Sequence, residues 1–559
     1  MTRRRAESKV NSGRRYMRSF ADKPRGCGYG QGTRSRSDGH NNGEPMRIGI
    51  DVGGTNTDAV LMDGDRVCAH TKIATTEDVT TGIAEAVKTL LSGTQYEPSA
   101  IQGVMIGTTH FINAIVEGNR LAPTAAIRLG LPATAALPPM SSWPERLVRA
   151  IDGRAYMCHG GHEIDGRRIA PMNCDELARV AEEIAAQGVR SIAISSVYSP
   201  VNEECEREAA EILKELLPGA SLSLSHEIGR MGLLERENAT IINACLSELA
   251  DHICRGLAEA VSGAGIDAPL FLSQNDGTLM DVDYARRYPV ATFASGPTNS
   301  MRGAAFLSGL RDCAVVDVGG TTTDVGMLRN GFPHEASTEV SVSGIRTNFR
   351  MPDVLSIGIG GGSRIRSEPF GVGPDSVGYR LTEKALVFGG DTLTCTDIAV
   401  AAGIADIGDR SLVRHLDRTF IDAVLQRISE DMTNVVDRVR TSSEPIAVVA
   451  VGGGSILVPE SLPGVGEVRR PEFFATANAI GAAIAQVGGE VDRMYSIQPG
   501  QRDAVLDDAK QEAVDKAVSA GASRSSVQIV DVDEVPLAYL PGNATRIRVK
   551  AVGDLVLAR

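Results

Sequence analysis

The sequence predicts an α/β protein made of two similar halves. A ten-residue stretch, Asp51–Val60, reads DVGGTNTDAV and returns 266 positions later as DVGGTTTDVG at 317–326. Around both copies, short apolar runs alternate with longer segments whose apolar residues recur at helical spacing, which favours strands alternating with helices. A third signal is an apolar strand that ends in three glycines, Val448–Gly454. Together these signals predict two halves that face each other across a ligand.

Composition places the chain among ordinary globular proteins and excludes several functions. Of its 559 residues, 42% are hydrophobic and 23% charged, which is enough for two to four domains. Aromatic residues make up only 4% and the formal net charge is −13, so neither nucleic acid nor a phosphate backbone is an expected partner. No apolar run reaches the roughly 18–20 residues that span a bilayer, so a membrane is not expected either. The nine cysteines are scattered without a Cys-x-x-Cys pair, which indicates a reducing, cytoplasmic location.

The first 45 residues differ from the rest of the chain. They hold 11 lysines and arginines against four acidic residues, and they are rich in serine and glycine without an apolar stretch. We expect this basic head to be disordered. Because it has no apolar core segment it is not a secretory signal, and we interpret it as an extension upstream of Met46 rather than a transit peptide.

In each copy of the repeat a strand ends in an aspartate, turns through two glycines and hydroxyl residues, and resumes after a second aspartate. Paired glycines allow backbone conformations closed to other residues, and the N–H groups of such a turn form a concavity for phosphate. An aspartate at the strand end, Asp51 or Asp317, is suited to holding Mg²⁺ or orienting a water molecule. One such hairpin is also typical of an ordinary Gly-rich loop, but two copies predict a phosphate clamp.

The segment after the first repeat continues the alternation. A helix pattern at 83–91 is followed by a short buried strand, Gly103–Gly107, which leads through Thr108, Thr109 and His110 into a helix through Ala114–Glu117. The junction between a strand end and a helix start is a position where anions bind. A threonine at this junction is equally well explained as a simple helix cap.

The region that follows has weaker signals. Residues 123–144 contain six prolines or glycines and predict an irregular segment or an insertion. The stretch Cys158–Glu163 contains His159 and His162 and could form half of a metal site. Because no second Cys/His cluster completes it, a Gly-rich strand with exposed histidines is the simpler interpretation. Residues 177–225 show helix, strand, helix, strand patterning, which favours parallel βαβ units.

A long helical pattern covers residues 233–261, and a strand then ends at Asn275. Small residues at 294–300 begin the next helix, where an anion or a tight turn would fit. The second hairpin follows, then a Gly-rich stretch at 356–363 and the strand with three glycines. An Ala- and Gly-rich helix is predicted near 477–487, and the tail from 519 to 559 contains two strands of a small appendage.

The order of these motifs resembles the actin/sugar-kinase/heat-shock-chaperone ATPase superfamily, in which two RNase H-like domains enclose a nucleotide cleft. Within it, the chain is most similar to the A-type subunit of the hydantoinase/oxoprolinase family. The resemblance extends from Met46 to the end and rests on DVGGTNTD at 51–58, GTT at 107–109, ERENAT at 235–240, SGP at 295–297, the second hairpin at 317–324 and SIGIGGG at 356–362.

The resemblance implies an ATP- and Mg²⁺-dependent hydrolase that opens a cyclic amide such as a hydantoin, 5-oxoproline or another lactam. Phosphorylation of the amide oxygen would make the ring carbon electrophilic, and water would open the ring. In this scheme Asp51 and Asp317 are the catalytic and metal-binding residues. The nucleotide-binding residues would be Gly53, Gly54, Thr55, Asn56, Gly319, Gly320, Thr321 and Thr322, with Gly452, Gly453 and Gly454 beside the adenosine.

Three places depart from the family's pattern, and we expect them to line the substrate side. They are His110–Ala114, Ile127–Pro132 and the turn Asn275–Gly277. The candidate substrate residues in and beside these segments are Thr108, Thr109, Asn113 and Asn275.

The chain carries no B-type half, so a separate B-type hydantoinase subunit is an expected partner, and we expect an oligomer. Two other classes of function stay open. One is an ATP-dependent carboxylase or kinase subunit, because acetone carboxylase-type subunits look similar in these motifs. The other is a regulatory ATPase that acts on a partner protein. The predicted domains are residues 46–290, 291–500 and 501–559, after the head at 1–45.

Overall fold

The computed structural model describes residues 45–75, 79–336, 340–440, 442–498, 500–537 and 544–557. The predicted disordered head lies outside the described residues, apart from Pro45. No helix in the described part of the chain combines the length and the apolar character needed to cross a bilayer.

The elements of the first part of the chain are β1 (Met46–Val52), β2 (Asn56–Asp63), β3 (Arg66–Ala74), α1 (Val79–Ser92), β4 (Gly103–Thr108), α2 (His110–Glu117), β5 (Thr124–Leu131), α3 (Glu145–Ala150), β6 (Arg154–His159), α4 (Cys174–Ala186), β7 (Ser191–Ser196), α5 (Glu204–Leu216), β8 (Ser221–Leu224), α6 (Ser225–Ile228), α7 (Leu233–Cys245), α8 (Ser247–Gly263), β9 (Leu270–Ser273), β10 (Thr278–Asp281) and α9 (Val282–Arg287).

The elements of the second part are α10 (Ser295–Ser308), β11 (Cys313–Val318), β12 (Thr323–Arg329), β13 (Phe332–Pro333), β14 (Val340–Val342), β15 (Ile345–Thr347), β16 (Val354–Ile357), β17 (Ser363–Ser367), β18 (Phe370–Ser376), α11 (Leu381–Lys384), α12 (Cys395–Ala402), α13 (Arg418–Val439), β19 (Ile446–Val451) and β20 (Val465–Arg469). The last part contains α14 (Ala477–Ala483), β21 (Gln486–Ser496), α15 (Arg502–Ser519), β22 (Gln528–Pro536) and β23 (Ala544–Gly553).

Two sheets repeat the same strand order. In the larger sheet β3, β2 and β1 form an antiparallel meander, and β4 and β9 then continue parallel to β1. In the second sheet β12 and β11 are antiparallel, and β19 and β20 continue parallel to β11. Because parallel strands all end at the same edge of a sheet, each hairpin turn lies next to the end of a parallel strand. This repeated order is the architecture that the duplicated motif predicts.

A third sheet with the order β6-β5-β7-β8 is inserted after β4 and α2, and its strands are all parallel. The parallel pairing predicted for residues 177–225 is therefore confirmed. The prediction that residues 123–144 are irregular is wrong for their first part, because β5 is an interior strand of this sheet and is almost entirely buried. Most of the prolines and glycines behind that prediction lie in the loop beyond β5.

Two helix predictions need correction. The long helix predicted over 233–261 is interrupted at Leu246, whose N–H bonds to Asn243 in a tighter turn, so α7 and α8 are separate. The helix predicted near 477–487 ends at Ala483, and Gln486 already begins strand β21. Both boundaries fall inside continuous apolar patterns, where periodicity carries no stop signal.

The C-terminal segment joins the larger sheet. Strand β21 pairs in parallel with β10 and antiparallel with β23, and β22 forms the edge beyond β23. Helix α15 packs on β21 and β23, where Ala513 and Ala517 are fully buried. The structure thus places residues 486–496, which the predicted boundaries group with the second domain, in the same sheet as β1.

Helices α10 and α14 cross at the centre of the molecule, between the two sheets. A Cβ atom on Gly303 would overlap the Ala477 carbonyl oxygen, and one on Gly481 would overlap the Asn299 carbonyl oxygen. The two backbones therefore touch without intervening side chains, as the Ala- and Gly-rich composition of α14 indicates. This crossing positions the side chains of both helices at the hairpin turns.

Candidate functional site

The two predicted hairpins have identical registers. Asp51 pairs with Asp58 between β1 and β2, and Asp317 pairs with Asp324 between β11 and β12. The turns are closed by equivalent hydrogen bonds, Gly53 N–H to Asn56 O at 3.0 Å and Gly319 N–H to Thr322 O at 2.9 Å. The second strand of each hairpin begins before the second aspartate, slightly earlier than predicted.

The two turns face each other. A Cβ atom at Gly320 would lie only 3.3 Å from the Thr55 methyl carbon, so the Gly320 backbone lies close to the Thr55 side chain. Gly54 and Thr322 are exposed, whereas Thr55, Gly320 and Thr321 are half-buried between the turns. The two predicted turns are therefore adjacent at Thr55 and Gly320, and turns of this kind present backbone N–H groups to an anion.

A glycine at or just beyond the end of the neighbouring parallel strand lies against the aspartate of each hairpin. A Cβ atom at Gly107, near the end of β4, would overlap Asp51 Oδ1, and one at Gly452, just after β19, would overlap Asp317 Oδ1. Gly452 also has φ +82°, a conformation that favours glycine. These approaches explain why glycine occupies both positions.

The triple glycine wraps around the end of β11. Gly454 N–H bonds to Val318 O at 2.8 Å, and a Cβ atom at Gly454 would overlap the Val318 side chain. Gly453 is exposed, and a Cβ atom added to it would meet nothing within 4 Å, so its backbone borders open space in the cleft. The earlier Gly-rich stretch has another role, because Gly361 and Gly362 donate to the carbonyls of Gly319 and Gly320 and support the second turn from behind.

Asp51 is held by two asparagine side chains. Asn299 on α10 donates to Asp51 Oδ1 at 3.3 Å, and Asn478 on α14 donates to Oδ2 at 2.9 Å. Asn478 also reaches Asp58 at 3.0 Å, and Lys72 on β3 forms an ion pair with Asp58 at 2.5 Å. Burial, with a contribution from the Asp58 charge, raises the pKa of Asp51 to about 6.

Asp317 has fewer partners. It is half-buried and accepts a hydrogen bond from Ser300, the residue after Asn299 on α10. Burial is the main cause that raises the pKa of Asp317 to about 7, and the charges of Asp324 and Asp51 add to it. Consecutive residues of one helix thus contact both aspartates, and the two carboxylates lie close enough to repel each other.

The predicted substrate residues divide into two groups. Thr108, Thr109 and Asn113 lie beside the first hairpin: Thr109 N–H bonds to Val52 O at 3.4 Å, and Asn113 donates to the Thr109 hydroxyl at 3.4 Å. Asn275 lies at the start of α10, where its side-chain oxygen accepts from Ala294 N–H at 2.7 Å and its amide donates to Val290 O at 2.9 Å. Both polar ends of the Asn275 side chain are therefore bonded to backbone.

His110, one of the departures from the family's pattern, lies at the first position of α2. Its Nδ1 is 2.7 Å from the Thr108 hydroxyl. Burial, followed by the nearby Arg120, lowers the pKa of His110 to about 4, so the imidazole is neutral at pH 7. A neutral imidazole next to Thr108 fixes the orientation of that hydroxyl without adding charge to the cleft.

Arg128, in another departure, lies away from the cleft. It is 1% exposed and forms a two-pronged ion pair with Glu237 on α7, with contacts of 2.5 and 2.7 Å. Ser195 donates to the same carboxylate at 2.7 Å. This buried pair ties the inserted sheet to α7.

The possible metal half-site at Cys158–Glu163 gains no support. Over the described residues, no group of three or more His, Cys, Asp or Glu side chains is placed to hold a metal ion. His159 instead bonds through Nδ1 to Glu176 at 3.1 Å.

The residues that sequence reasoning missed are Lys72, Asn299, Ser300 and Asn478. They carry no local motif and reach the aspartates only because α10, α14 and β3 converge there. Lys72 is a cation that acts on both Asp51 and Asp317.

A Gly-rich turn is suited to a phosphate, and an aspartate at a strand end is suited to a divalent cation. The exposed turn backbones supply N–H donors for phosphate. Lys72 acts on Asp51, Asp58 and Asp317, while Asp324 bonds to Ser356. Carboxylate oxygens are the ligands that Mg²⁺ takes in proteins.

The repeated strand order and the paired hairpins define a protein of the actin-like ATPase and sugar-kinase fold. Among solved structures, an ATP-dependent caprolactamase from Pseudomonas jessenii superposes with a TM-score of 0.71, at 17% identity, over 91% of this chain and 88% of that one. A nucleotide-free acetone carboxylase structure superposes with a TM-score of 0.67, at 17% identity, over 92% and 89%. At this identity the likeness concerns the fold.

The chain belongs to the hydantoinase/oxoprolinase family. The family model for the hydantoinase/oxoprolinase N-terminal region matches residues 47–217, and the hydantoinase/oxoprolinase model matches residues 236–407. The predicted family membership is therefore confirmed.

Curated relatives have different named activities. Caprolactamase subunit alpha from Pseudomonas jessenii is 26% identical over 480 residues, which cover 79% of this chain and 66% of the relative. Acetone carboxylase beta subunit from Xanthobacter autotrophicus is 24% identical over 400 residues, which cover 64% and 54%. The chain thus spans about half to two thirds of the length of these curated relatives.

Proposed function

We propose that this chain is an ATP-dependent hydrolase that opens a cyclic amide, such as a hydantoin, 5-oxoproline or another lactam. The observation that carries the proposal is the pair of facing hairpins, each with a partly buried aspartate at the strand end beside a Gly-lined turn. The family and its caprolactamase and 5-oxoprolinase relatives support the amide as the substrate class.

ATP would lie between the hairpins as a co-substrate. The turn residues Gly53–Asn56 and Gly319–Thr322 would bind its phosphates, and Gly452–Gly454 would border the adenosine. Asp51 and Asp317 would hold Mg²⁺, which when bound neutralises charge on the phosphates. Lys72 is close enough to the same carboxylates to compensate charge that the transferred phosphate brings.

An unstrained amide is a poor electrophile, so the reaction requires activation. The amide oxygen would attack the terminal phosphorus of ATP, forming an O–P bond as the bond to ADP breaks. Water would add to the ring carbon, and the C–N bond would break as the ring nitrogen takes a proton. A second water would release phosphate from the resulting acyl phosphate. Asp317, whose pKa is raised to about 7, is suited to accept a proton from the water.

The substrate side would be formed by Thr108, Thr109 and Asn113, which lie next to the first turn. The relatives named as alpha, beta or gamma subunits support an oligomer with a further chain, and a B-type subunit is the partner we propose. Its contribution would be to the hydrolytic steps after phosphorylation.

A second candidate function is that of an ATP-dependent carboxylase subunit. Acetone and acetophenone carboxylase subunits among the relatives favour it, and it would use the same cleft. In that case a carbonyl compound and bicarbonate replace the cyclic amide and water.

The test is Mg²⁺-dependent ADP release by the purified chain with hydantoins, 5-oxoproline and lactams, alone and with a co-expressed B-type chain. We expect one amide to stimulate ADP release and to open in equal amount. Asp317→Asn should abolish the reaction, whereas Asp437→Asn, at a side chain 74% exposed on α13, should not. Labelled bicarbonate entering a product would instead establish the carboxylase. ADP release that no amide or carbonyl compound changes would contradict both.

A further inference from the structure

A large cavity lies outside the nucleotide cleft. Its volume is about 830 Å³, within the range of small-molecule sites. It is bounded by the loop after β8, by β10 and α9, and by β21 and β23 of the larger sheet. None of the hairpin residues lines it.

One wall of this cavity is rich in cations. Arg230, Arg350, Arg546 and Lys550 line it, and Arg548 stands beside them on β23. The carboxylates among them are Asp276, Glu335, Glu490 and Asp492. We call these nine residues the cationic wall.

The carboxylates of the cationic wall are shared. Asp492 contacts Arg546 at 2.5 Å and both Arg230 and Arg350 at 3.5 Å. Glu335 contacts Arg548 at 2.6 Å, Arg230 at 3.3 Å and Lys550 at 3.7 Å. Each of these two carboxylates thus serves three cations.

The other two carboxylates of the cationic wall, Glu490 and Asp276, are also paired. Glu490 pairs with Arg350 and Arg548, and Asp276 pairs with Lys550 at 2.9 Å. Asp531 reaches Arg548 at 3.4 Å, but its side chain is 50% exposed on the solvent side. Five cations of the cationic wall therefore share four interior carboxylates.

The sharing of carboxylates leaves individual cations of the wall incompletely paired. Arg230 Nε makes no hydrogen bond within the described part of the chain and lies 3.5 Å from Asp492. Burial, followed by the charge of Arg548, lowers the pKa of Arg350 to about 9. A buried guanidinium in this state is stabilised by a further anion.

Other charged residues on the cavity lining have partners of their own. Glu227 forms a two-pronged pair with Arg287, and Arg493 and Lys516 both pair with Glu512. Glu203 likewise contacts Arg207 and His226, and Asp281 accepts from Tyr284 N–H at 2.7 Å. These residues lie outside the cationic wall.

Another part of the lining is apolar and aromatic. The rings of Tyr284 and Tyr288 lie 4.6 Å apart, and Phe349, Met280 and Met494 extend this surface. Tyr284 is 46% exposed, an unusual state for an aromatic side chain that lines a cavity.

We infer that this cavity binds a small molecule with a carboxylate on an apolar body. The carboxylate lies against Arg230 and Arg350, and the body lies against Tyr284 and Phe349. The inference does not rest on the proposed function, because it uses none of the residues of the nucleotide cleft.

The cavity nevertheless adjoins the cleft through one element. Asn275 lines the cavity, and its side chain holds Ala294 at the start of α10, the helix whose Asn299 contacts Asp51. Asp276, next in sequence, pairs with Lys550 of the cationic wall. A ligand here contacts the residues that fix α10.

The test is calorimetric titration of the full nucleotide-free chain with two matched pairs of probes, phenylacetate against phenylacetamide and 5-oxoproline against 2-pyrrolidone. We expect at least one carboxylate to bind, and its neutral partner to bind about tenfold more weakly or not at all. Its affinity should fall as sodium chloride is raised, whereas that of the neutral compound should not.

Charge variants sharpen the test. Arg230→Gln should weaken binding of the carboxylate probe about tenfold. Asp492→Asn should strengthen it, because Asp492 competes for Arg230 and Arg350. Arg427→Gln on the exposed face of α13 should leave it unchanged. If a variant does not fold, the fall in affinity of the wild type for the carboxylate probe as sodium chloride is raised still tests the inference. Equal binding of charged and neutral probes, no binding of any probe, or weaker binding by folded Asp492→Asn would overturn the inference.

Discussion

In the first hairpin Asp51 accepts hydrogen bonds from two asparagine side chains, whereas its counterpart in the second hairpin, Asp317, accepts one from a serine hydroxyl. The aspartates opposite them in the hairpins, Asp58 and Asp324, also differ in burial and in their partners. Asp58 is 2% exposed and paired with Lys72, while Asp324 is half-buried and bonded to the Ser356 hydroxyl. The first hairpin has a lysine paired directly with one of its aspartates, and the second hairpin has a hydroxyl in that place.

This difference shows that a repeated motif need not have a repeated role. The backbone of both turns is equivalent, so both are suited to phosphate. The carboxylates are not equivalent: Asp51 is buried and accepts from two side-chain amides, whereas Asp317 is half-buried and accepts from one hydroxyl, and burial raises the pKa of both. We therefore expect Asp317 to handle protons and Asp51 to act mainly through the cation.

The largest effect on turnover should come from replacing Asp317 or Asp51, one at a time, with asparagine. We expect Asp317→Asn to lower turnover about 10²–10⁴-fold at every Mg²⁺ concentration, because the proton acceptor is lost. Asp51→Asn should raise the Mg²⁺ requirement about 10–100-fold and recover part of the turnover at high Mg²⁺. The measurement is steady-state ADP release across a Mg²⁺ titration. Identical titration curves for the two variants would remove the distinction between the hairpins.

Lys72 is the residue that makes the hairpins different. Lys72→Met would leave Asp58 buried without its cation, and we expect a loss of about 3 kcal/mol in the free energy of unfolding. Adding Asp58→Asn should restore most of that loss, since the unpaired charge is then gone. Denaturant unfolding of the two single variants and the double variant measures the coupling. Simple additivity of the two changes would contradict the ion pair as the source of the asymmetry.

The second hairpin can be tested through its glycines. Gly452→Ala forces a Cβ atom into Asp317 at φ +82°, so we expect a loss of about 1–3 kcal/mol in stability and a loss of nucleotide binding. Gly453→Ala is the matched control, because nothing lies within 4 Å of its Cβ position. Its stability should be that of the wild type. Thermal unfolding with and without ATP distinguishes the two variants. Equal destabilisation by Gly452→Ala and Gly453→Ala would contradict the close contact between Gly452 and Asp317.

The smallest effect concerns pH. Because the pKa of Asp317 is raised from 3.8 to about 7, the folded state binds its proton more tightly than the unfolded state. The stability from this group is complete below pH about 4 and is lost as the pH rises to about 7. Asp317 is half-buried, so we expect only about 1 kcal/mol. In EDTA, the free energy of unfolding of Asp317→Asn should fall less than that of the wild type between pH 4 and about 7. Parallel curves of this free energy against pH for the two proteins would show that the pKa of Asp317 is not raised.

The sequence was sufficient for the backbone of the cleft. The paired glycines and aspartates predict the turns at 51–58 and 317–324, and the triple glycine predicts the loop beside them, because turn chemistry is local. The family membership follows from the same motifs and is confirmed. The roles of the individual site residues stay predictions.

The side chains that distinguish the two aspartates could not be predicted in this way. Asn299 and Asn478 lie 248 and 427 positions from Asp51, and an asparagine on a helix carries no signal of its target. Strand β5 was not predicted because the prolines around it favoured an irregular segment. The placement of β21 in the larger sheet depends on pairing with β10, which no local pattern encodes.

The chain passes between the two sheets twice, once through α10 and once through α14, and these helices touch at Gly303 and Gly481. Residues 313–469 are therefore attached at two adjacent points, so they can tilt against the larger sheet but cannot rotate freely about a single linker. We therefore expect the distance between the two hairpins to change mainly through one angle. A single pair of fluorescent labels, one on each sheet, would report the whole opening and closing motion, and nucleotide and partner could be compared on that one scale.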